Sequence, residues 1–407
     1  MRTAQERRGA IDVARGCSLL LVVAGHLAMA VVDRDSTGAL RGDNVLALHP
    51  GLAFLGLLAP MPVFFAAAGW SHSGPDAHDR VTTKRIAPIV LVATVVCTVW
   101  GSASIVSILV TGGANTVSRG ARIASQPMWF LAAYVPFVAL PRQLGSLARA
   151  IRFTVPAAIC FVALGDWLLH AHDLPRAVGF PGFFVVWQTP WVLGAWWRSR
   201  AADPTFDERR TGLLLALTGL VACAALVRWA GYAPSLIDAV PGRRTNSTPP
   251  GLFTLSASVV QVGLLMMVAQ PLDNVAARRS VLVASLSRAA VGIYAWHLTA
   301  FALCAATIAL GLPGPERFGA AWWWTRPLWF GAIIAVTLLL ALATQSVIGR
   351  INTTVDGQTN PTVWFAVVAT TIAAGLTGLY GPRSIPMSVS IIALFGVSIG
   401  LLSASGD

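Results

Sequence analysis

Apolar runs of about 18 to 25 residues recur from one end of this chain to the other, and each is long enough to cross a hydrocarbon core of roughly 30 Å as a helix. Spans are expected at 11–32, 46–71, 86–110, 126–141, 154–170, 178–197, 211–229, 252–270, 281–310, 327–348, 362–380 and 386–403. The run at 126–141 is short and the one at 178–197 carries Pro181 and Pro190, so a kinked or re-entrant helix is open at both. The expected fold class is all-α and integral to the membrane, a polytopic helical bundle of about 10–12 transmembrane helices. Composition argues against a soluble fold: 56% of the 407 residues are hydrophobic and 11% charged, too little polar surface to cover a globule of that size. No soluble domain of useful size remains between the runs, so residues 1–407 are expected to form a single transmembrane domain.

A net charge of +12 would suggest nucleic acid in a soluble protein. Here the basic residues sit in short stretches between apolar runs, the pattern of topology signals facing anionic headgroups, so the expected partner is the lipid bilayer and not nucleic acid. A cytoplasmic N-terminus puts 18 of the 29 basic residues on the cytoplasmic side, which favours that orientation and, with an even number of spans, a cytoplasmic C-terminus. Trp322, Trp323 and Trp324 then fall at the outer interface. The first residues mimic a signal peptide ending at Ala28-Met29-Ala30, but the apolar run is long and further spans follow, so cleavage is not expected. The five cysteines (Cys17, Cys97, Cys160, Cys223, Cys304) all lie inside apolar runs, without zinc spacing or a disulfide framework, and are taken as small core residues.

The chemistry concentrates in the opening span. Asp12, Arg15 and His26 lie in or beside one hydrophobic run, and ionisable groups within a membrane segment are functional suspects by default. Arg15 and His26 are about three helical turns apart, so both project from one face roughly 16 Å apart along the axis, with Asp12 one turn before Arg15. Each has a structural alternative: Asp12 and Arg15 as an interfacial ion pair marking the helix start, and His26 as a core imidazole bonded to a neighbouring helix. Near the other end, Tyr294 and His297 sit one turn apart on a common face, and His297 reaches a depth similar to that of His26, so the two imidazoles are expected to share one cavity. Packing roles are the alternative for His297, Tyr294 and Trp129.

These residues carry a resemblance. Asp12, Arg15, Gly16 and Gly25-His26 resemble the opening helix of the acyltransferase 3 family, whose hallmark is an arginine, ten residues and a histidine behind an acidic residue. Met61-Pro62-Val63-Phe64-Phe65 with Gly69 is similar to its phenylalanine-rich second helix, although alanines stand where a leucine-serine is usual. Trp129-Phe130-Leu131 with Tyr134 resembles its W-F-L helix, and Ser287-Arg288 followed by Gly292-Ile293-Tyr294 and His297 its late helix. The matches run in the family's order across residues 8–300. The family's R-x-x-R pair in the first cytoplasmic loop is represented here only by Arg80 and then Lys84-Arg85.

What the resemblance implies is an enzyme that transfers an acyl group from cytoplasmic acyl-CoA, as donor substrate, to a hydroxyl of a cell-envelope glycan, a glycolipid or a secreted metabolite, with no bound cofactor. The Ala, Arg and Val usage points to a bacterial source, so a multi-pass protein of a bacterial cytoplasmic membrane is expected; the catalytic core is expected over about residues 8–310, with scaffold helices over 311–407, where no recognisable chemistry is present. Chemistry agrees with the resemblance: an alcohol attacking a thioester needs a base near neutral pKa, and histidine is the usual choice. His26 is expected to act as that base, or to accept the acyl group itself. Arg15, Arg80, Lys84 and Arg85 suit the donor's phosphates, and Asp12 suits orientation of Arg15. Ser287, Arg288, Trp129, Tyr294 and His297 are assigned to the acceptor side or the cavity. The competing class is a secondary transporter using His26, Arg15 and His297 as a proton relay, disfavoured because the halves of the chain show no internal symmetry. Two other patterns are set aside. His72 and Asp76 sit in a Pro-Gly loop, and His170, His172 and Asp173 are too close in sequence to converge on a metal without other partners.

Overall fold

The computed structural model describes residues 8–34, 40–73, 83–113, 115–172, 174–237, 244, 246–310, 316, 318–351 and 361–404. In chain order it contains α1 (Gly9–Met29), β1 (Ala30–Arg34), β2 (Leu40–Asn44), α2 (Val45–Leu48), α3 (Met61–His72), α4 (Thr83–Thr111), α5 (Thr116–Ser125), α6 (Trp129–Ala139), α7 (Pro141–Arg149) and α8 (Ile151–Ala171). Then follow α9 (Phe180–Arg200), α10 (Glu208–Trp229), α11 (Leu252–Met267), α12 (Ala269–Arg278), α13 (Ser280–Ala309), α14 (Ala320–Ile351), α15 (Pro361–Leu379) and α16 (Ile385–Ala404). The strands β1 and β2 pair as a small ribbon. Among the described residues nine helices are long and apolar enough to cross a membrane, and up to eleven if each of two bent helix pairs is one span. The chain is a polytopic all-α membrane protein.

Departures from the expected spans follow proline. The run at 46–71 divides into α2, a 3-10 helix over Pro50–Leu58 and α3, because Pro50, Pro60 and Pro62 each lack an amide donor. The short run at 126–141 is the second half of a segment, Thr116–Ala139, that bends by 79° into Pro141–Arg149. Leu140 stands at the break, since a residue before proline is turned away from helical geometry. A second bend, of 57°, separates α11 from α12. There the ring of Pro271 opposes continuation of the helix through Met267. The run at 178–197 is one helix, α9, with Pro190 inside it. It is long enough but not apolar enough to count among the nine, with Gln188, Thr189, two prolines and several tryptophans along it, and it packs against α3, α7, α8 and α11.

Two compact units make up the fold: Met1–Gly25, Asn44–Asp79 and Leu140–Ser287 form the first, and His26–Asp43, Arg80–Ala139 and Arg288–Asp407 the second. The first is centred on Ala10, Ile11 and Ala14 of α1, Ala66, Ala67 and Trp70 of α3, Leu193 and Trp197 of α9, and Val262, Leu265 and Met266 of α11. Helices α3 and α9 meet backbone to backbone: Gly69 lies against the Trp191 carbonyl and Gly194 against that of Ala66, so a Cβ at either site would strike main chain.

That unit also holds a polar cluster the sequence did not announce. Arg8 forks onto Glu208 with Nη1 at 2.5 Å and Nη2 at 2.9 Å, and its Nε donates to Asp273 at 3.0 Å. Its guanidinium lies 5.3 Å from the Trp70 ring and 5.1 Å from that of Trp197. Glu208 also accepts from the Trp197 indole, and Asp273 accepts the Ala10 amide at 2.6 Å. Burial works against the Arg8 charge, but hydrogen bonds and charge from Glu208 and Asp273 outweigh it and raise the guanidinium pKa above its ordinary value.

In the second unit α15 packs on α6 and α16, and α16 on α4. Helix α13 is held from two sides: the Trp296 indole donates to Thr344 of α14 at 2.7 Å, and the Trp100 indole of α4 donates to Thr299 at 3.0 Å. An indole donor among apolar helices needs such an acceptor, so these bonds fix the rotation of α13 and with it the direction of His297.

Candidate active site

The second unit brings two histidines into direct contact. His26, in the last turn of α1, lies with Nδ1 2.8 Å from Nε2 of His297 in α13. The ring centroids are 5.0 Å apart and the planes inclined by only 17°. With nitrogens so close and centroids so far apart, the rings meet edge to edge nearly in one plane, as an in-plane lone pair requires, and not face over face. His297 is fully buried, and its other nitrogen, Nδ1, lies 2.6 Å from the Tyr294 carbonyl oxygen. His26 is partly exposed.

A small aromatic wall supports this pair. The Tyr294 hydroxyl donates to the Pro127 carbonyl at 3.0 Å, and the Tyr294 ring packs on Phe130 at 5.4 Å. Phe130 in turn packs on Tyr134 at 4.8 Å. Trp129 contacts the edge of Phe130, and its backbone and Cβ press on Gly378 of α15. The W-F-L segment thus reaches the histidines through Phe130 and Tyr294.

Arg15 and Asp12 belong to the first unit. Arg15 Nη2 donates to the Ser71 hydroxyl at 2.7 Å, and that hydroxyl donates to the Ala67 carbonyl at 2.8 Å, so α3 orients the guanidinium. Asp12 lies 4.0 Å from Arg15 Nη1, a loose ion pair, and the buried Arg15 Nε makes no hydrogen bond. Ser287 in the same unit buries its hydroxyl without a hydrogen-bond partner among the described residues. Arg288 in the second unit is exposed, and its carbonyl accepts from Gln345 at 3.3 Å. Arg85 stands in the first turn of α4. The Lys84 side chain and the whole of Arg80 lie outside the described residues.

A further polar site escaped sequence reasoning. Asp166 of α8, 8% exposed, accepts the Tyr232 hydroxyl at 2.6 Å and the Leu252 amide at 2.8 Å, closing off the start of α11. Burial first, and then the adjacent Asp166 charge, push the Tyr232 phenol well above its ordinary pKa, so it stays a donor. An acid inside an apolar run, as Asp166 is, was the available signal. The two discounted histidine patterns have local partners: Nδ1 of His72 donates to the Ala68 carbonyl and Nδ1 of His170 to that of Asp166, each at 2.7 Å. Asp76 and Asp173 lie outside the described residues.

A family model described as an acyltransferase domain matches residues 8–346. The match takes in all of the residues above except Gly378 and continues past His297 through most of α14. No curated protein and no solved structure matches the chain.

Proposed function

Since the chain belongs to the acyltransferase 3 family and is thereby a membrane acyltransferase, we propose that it carries an acyl group from cytoplasmic acyl-CoA to a hydroxyl of a cell-envelope glycan, a glycolipid or a secreted metabolite. The observation that carries the proposal is the His26 imidazole, held by His297 through one nitrogen in the apolar C-terminal half of α1. A hydroxyl is a poor nucleophile until a base takes its proton, and a positioned imidazole does this near neutral pH. His26 takes the proton of the acceptor hydroxyl as oxygen attacks the thioester carbon, and returns a proton to the departing thiolate. Acyl transfer through His26 itself is the variant of this scheme.

Arg15 is the donor-side cation. Its guanidinium is oriented by Ser71 and keeps one buried N–H without a partner, a state suited to an anionic ligand such as a phosphate. Arg80, Lys84 and Arg85 join it in holding the donor's phosphates, and Asp12 orients Arg15. Ser287, Arg288 and Trp129 stand on the acceptor side. The setting is the bacterial cytoplasmic membrane with a cytoplasmic N-terminus, supported by the bias of basic residues.

Thiol release from acetyl-CoA by purified protein supplied with extracted envelope glycolipid tests the proposal. His26→Ala is expected to lower the rate by about 10²–10⁴-fold, while His172→Ala leaves it unchanged. Equal rates in both variants would remove His26 from the chemistry.

A further inference from the structure

The hydrogen bonds around His297 determine which nitrogen of His26 faces the reaction. A carbonyl oxygen only accepts, so the 2.6 Å contact with the Tyr294 carbonyl requires a proton on His297 Nδ1. His297 is fully buried and has no carboxylate paired with it among the described residues, and an enclosed imidazolium without a counter-ion is strongly unfavourable. The ring is therefore neutral, and its Nε2 carries a lone pair. That lone pair lies 2.8 Å from His26 Nδ1, nearly in the plane of both rings. Only a proton on His26 Nδ1 completes the bond, and the neutral His26 ring then keeps its second lone pair on Nε2.

From this chain of contacts we infer that His297 is a positioning residue, which fixes His26 in the Nδ1–H tautomer and leaves His26 Nε2 as the reactive base. The inference rests on the acyl-transfer proposal for His26 and adds the atom and its support. In the step, the acceptor O–H bond breaks and its proton moves to His26 Nε2 while the oxygen bonds to the thioester carbon. When the tetrahedral adduct collapses, the C–S bond breaks and the coenzyme A thiolate takes the proton back from Nε2. During the interval His26 is an imidazolium, and His297 Nε2 accepts from its Nδ1–H throughout. The arrangement has the logic of a base oriented by a third group, with a neutral imidazole anchored on a backbone carbonyl in the place that a carboxylate fills elsewhere.

Two substitutions separate orientation from bulk. In His297→Leu the acceptor for His26 Nδ1–H is gone. In His297→Gln the side-chain carbonyl oxygen can stand where Nε2 stood and accept the same proton. Acetyl-CoA turnover, with extracted envelope glycolipid as acceptor, is expected to lose about 10²–10³-fold in kcat in His297→Leu, with KM changed by less than about threefold, because ground-state binding is untouched. In His297→Gln kcat is expected to return to within about tenfold of the parent. Nitrogen-15 spectra of the parent protein, labelled at histidine and reconstituted in lipid, are expected to show protonated Nδ1 and bare Nε2 on both His26 and His297. A parent spectrum with the proton on His26 Nε2 would overturn the inference, even if neither variant folds. So would a His297→Leu enzyme with parental kcat, or a His297→Gln enzyme as slow as His297→Leu. Each of these results leaves the wider acyl-transfer proposal standing so long as His26→Ala is inactive; an active His26→Ala enzyme is the result that removes it.

Discussion

The Arg8 cluster of the first unit and the His26–His297 pair of the second are both polar sites among apolar helices, and they are completed to different degrees. In the Arg8 cluster all four carboxylate oxygens of Glu208 and Asp273 accept hydrogen bonds, and the guanidinium faces lie near two indoles. Such a site has little left with which to bind or react. In the histidine pair the chain of bonds runs from the Tyr294 carbonyl through His297 to His26 Nδ1 and then stops. His26 Nε2 has no hydrogen-bond partner among the described residues. A closed network holds a fold together, whereas a network with one open lone pair on a partly exposed ring has somewhere to receive a proton.

Several substitutions sharpen this contrast. The largest effect is expected at His26, where removal of the imidazole by His26→Ala costs about 10²–10⁴-fold in acyl transfer per folded molecule, beyond the loss of about 1–3 kcal/mol in stability from leaving buried His297 Nε2 unpaired. Arg8→Ala is expected to act on stability alone, lowering unfolding stability in detergent by about 2–3 kcal/mol because it strands two partly buried carboxylates, while activity per folded molecule is kept. Arg15→Gln is expected to raise KM for acetyl-CoA about tenfold with a smaller change in kcat, read from steady-state kinetics, since it removes a charge proposed to face the donor's phosphates. The smallest effect is at the Asp166 site: Tyr232→Phe removes one hydrogen bond to a buried carboxylate and is expected to cost about 1–2 kcal/mol by the same unfolding assay, without loss of activity.

The legible parts of this molecule were those whose signal is local. Apolar length announced the spans, whereas the breaks at Pro50, Pro60, Pro62 and Pro141 were not read from the sequence, where 126–141 stood out only by its shortness. His26 and His297 could be chosen because each is a polar residue in an apolar run, and their contact spans 271 residues of sequence. The Arg8 cluster was hidden for the opposite reason. Arg8 lies just before the first span, where a cation is ordinary, and its partners are 200 and 265 residues away. Helix α9 was read as a span open to a kink or re-entry at Pro181 and Pro190, because proline content does not reveal that a helix is enclosed by neighbouring helices. The orientation of Arg15 by Ser71 was equally invisible, since it depends on how α3 turns after Pro60 and Pro62.

Acetyl-CoA consumption measured in parallel for His26→Ala and Arg8→Ala, each normalised to the folded fraction in the same membranes, tests the central claim most directly. The account predicts that Arg8→Ala keeps the parental rate per folded molecule and that His26→Ala falls by at least about 10²-fold. A folded His26→Ala protein that still turns over acetyl-CoA at the parental rate would contradict it.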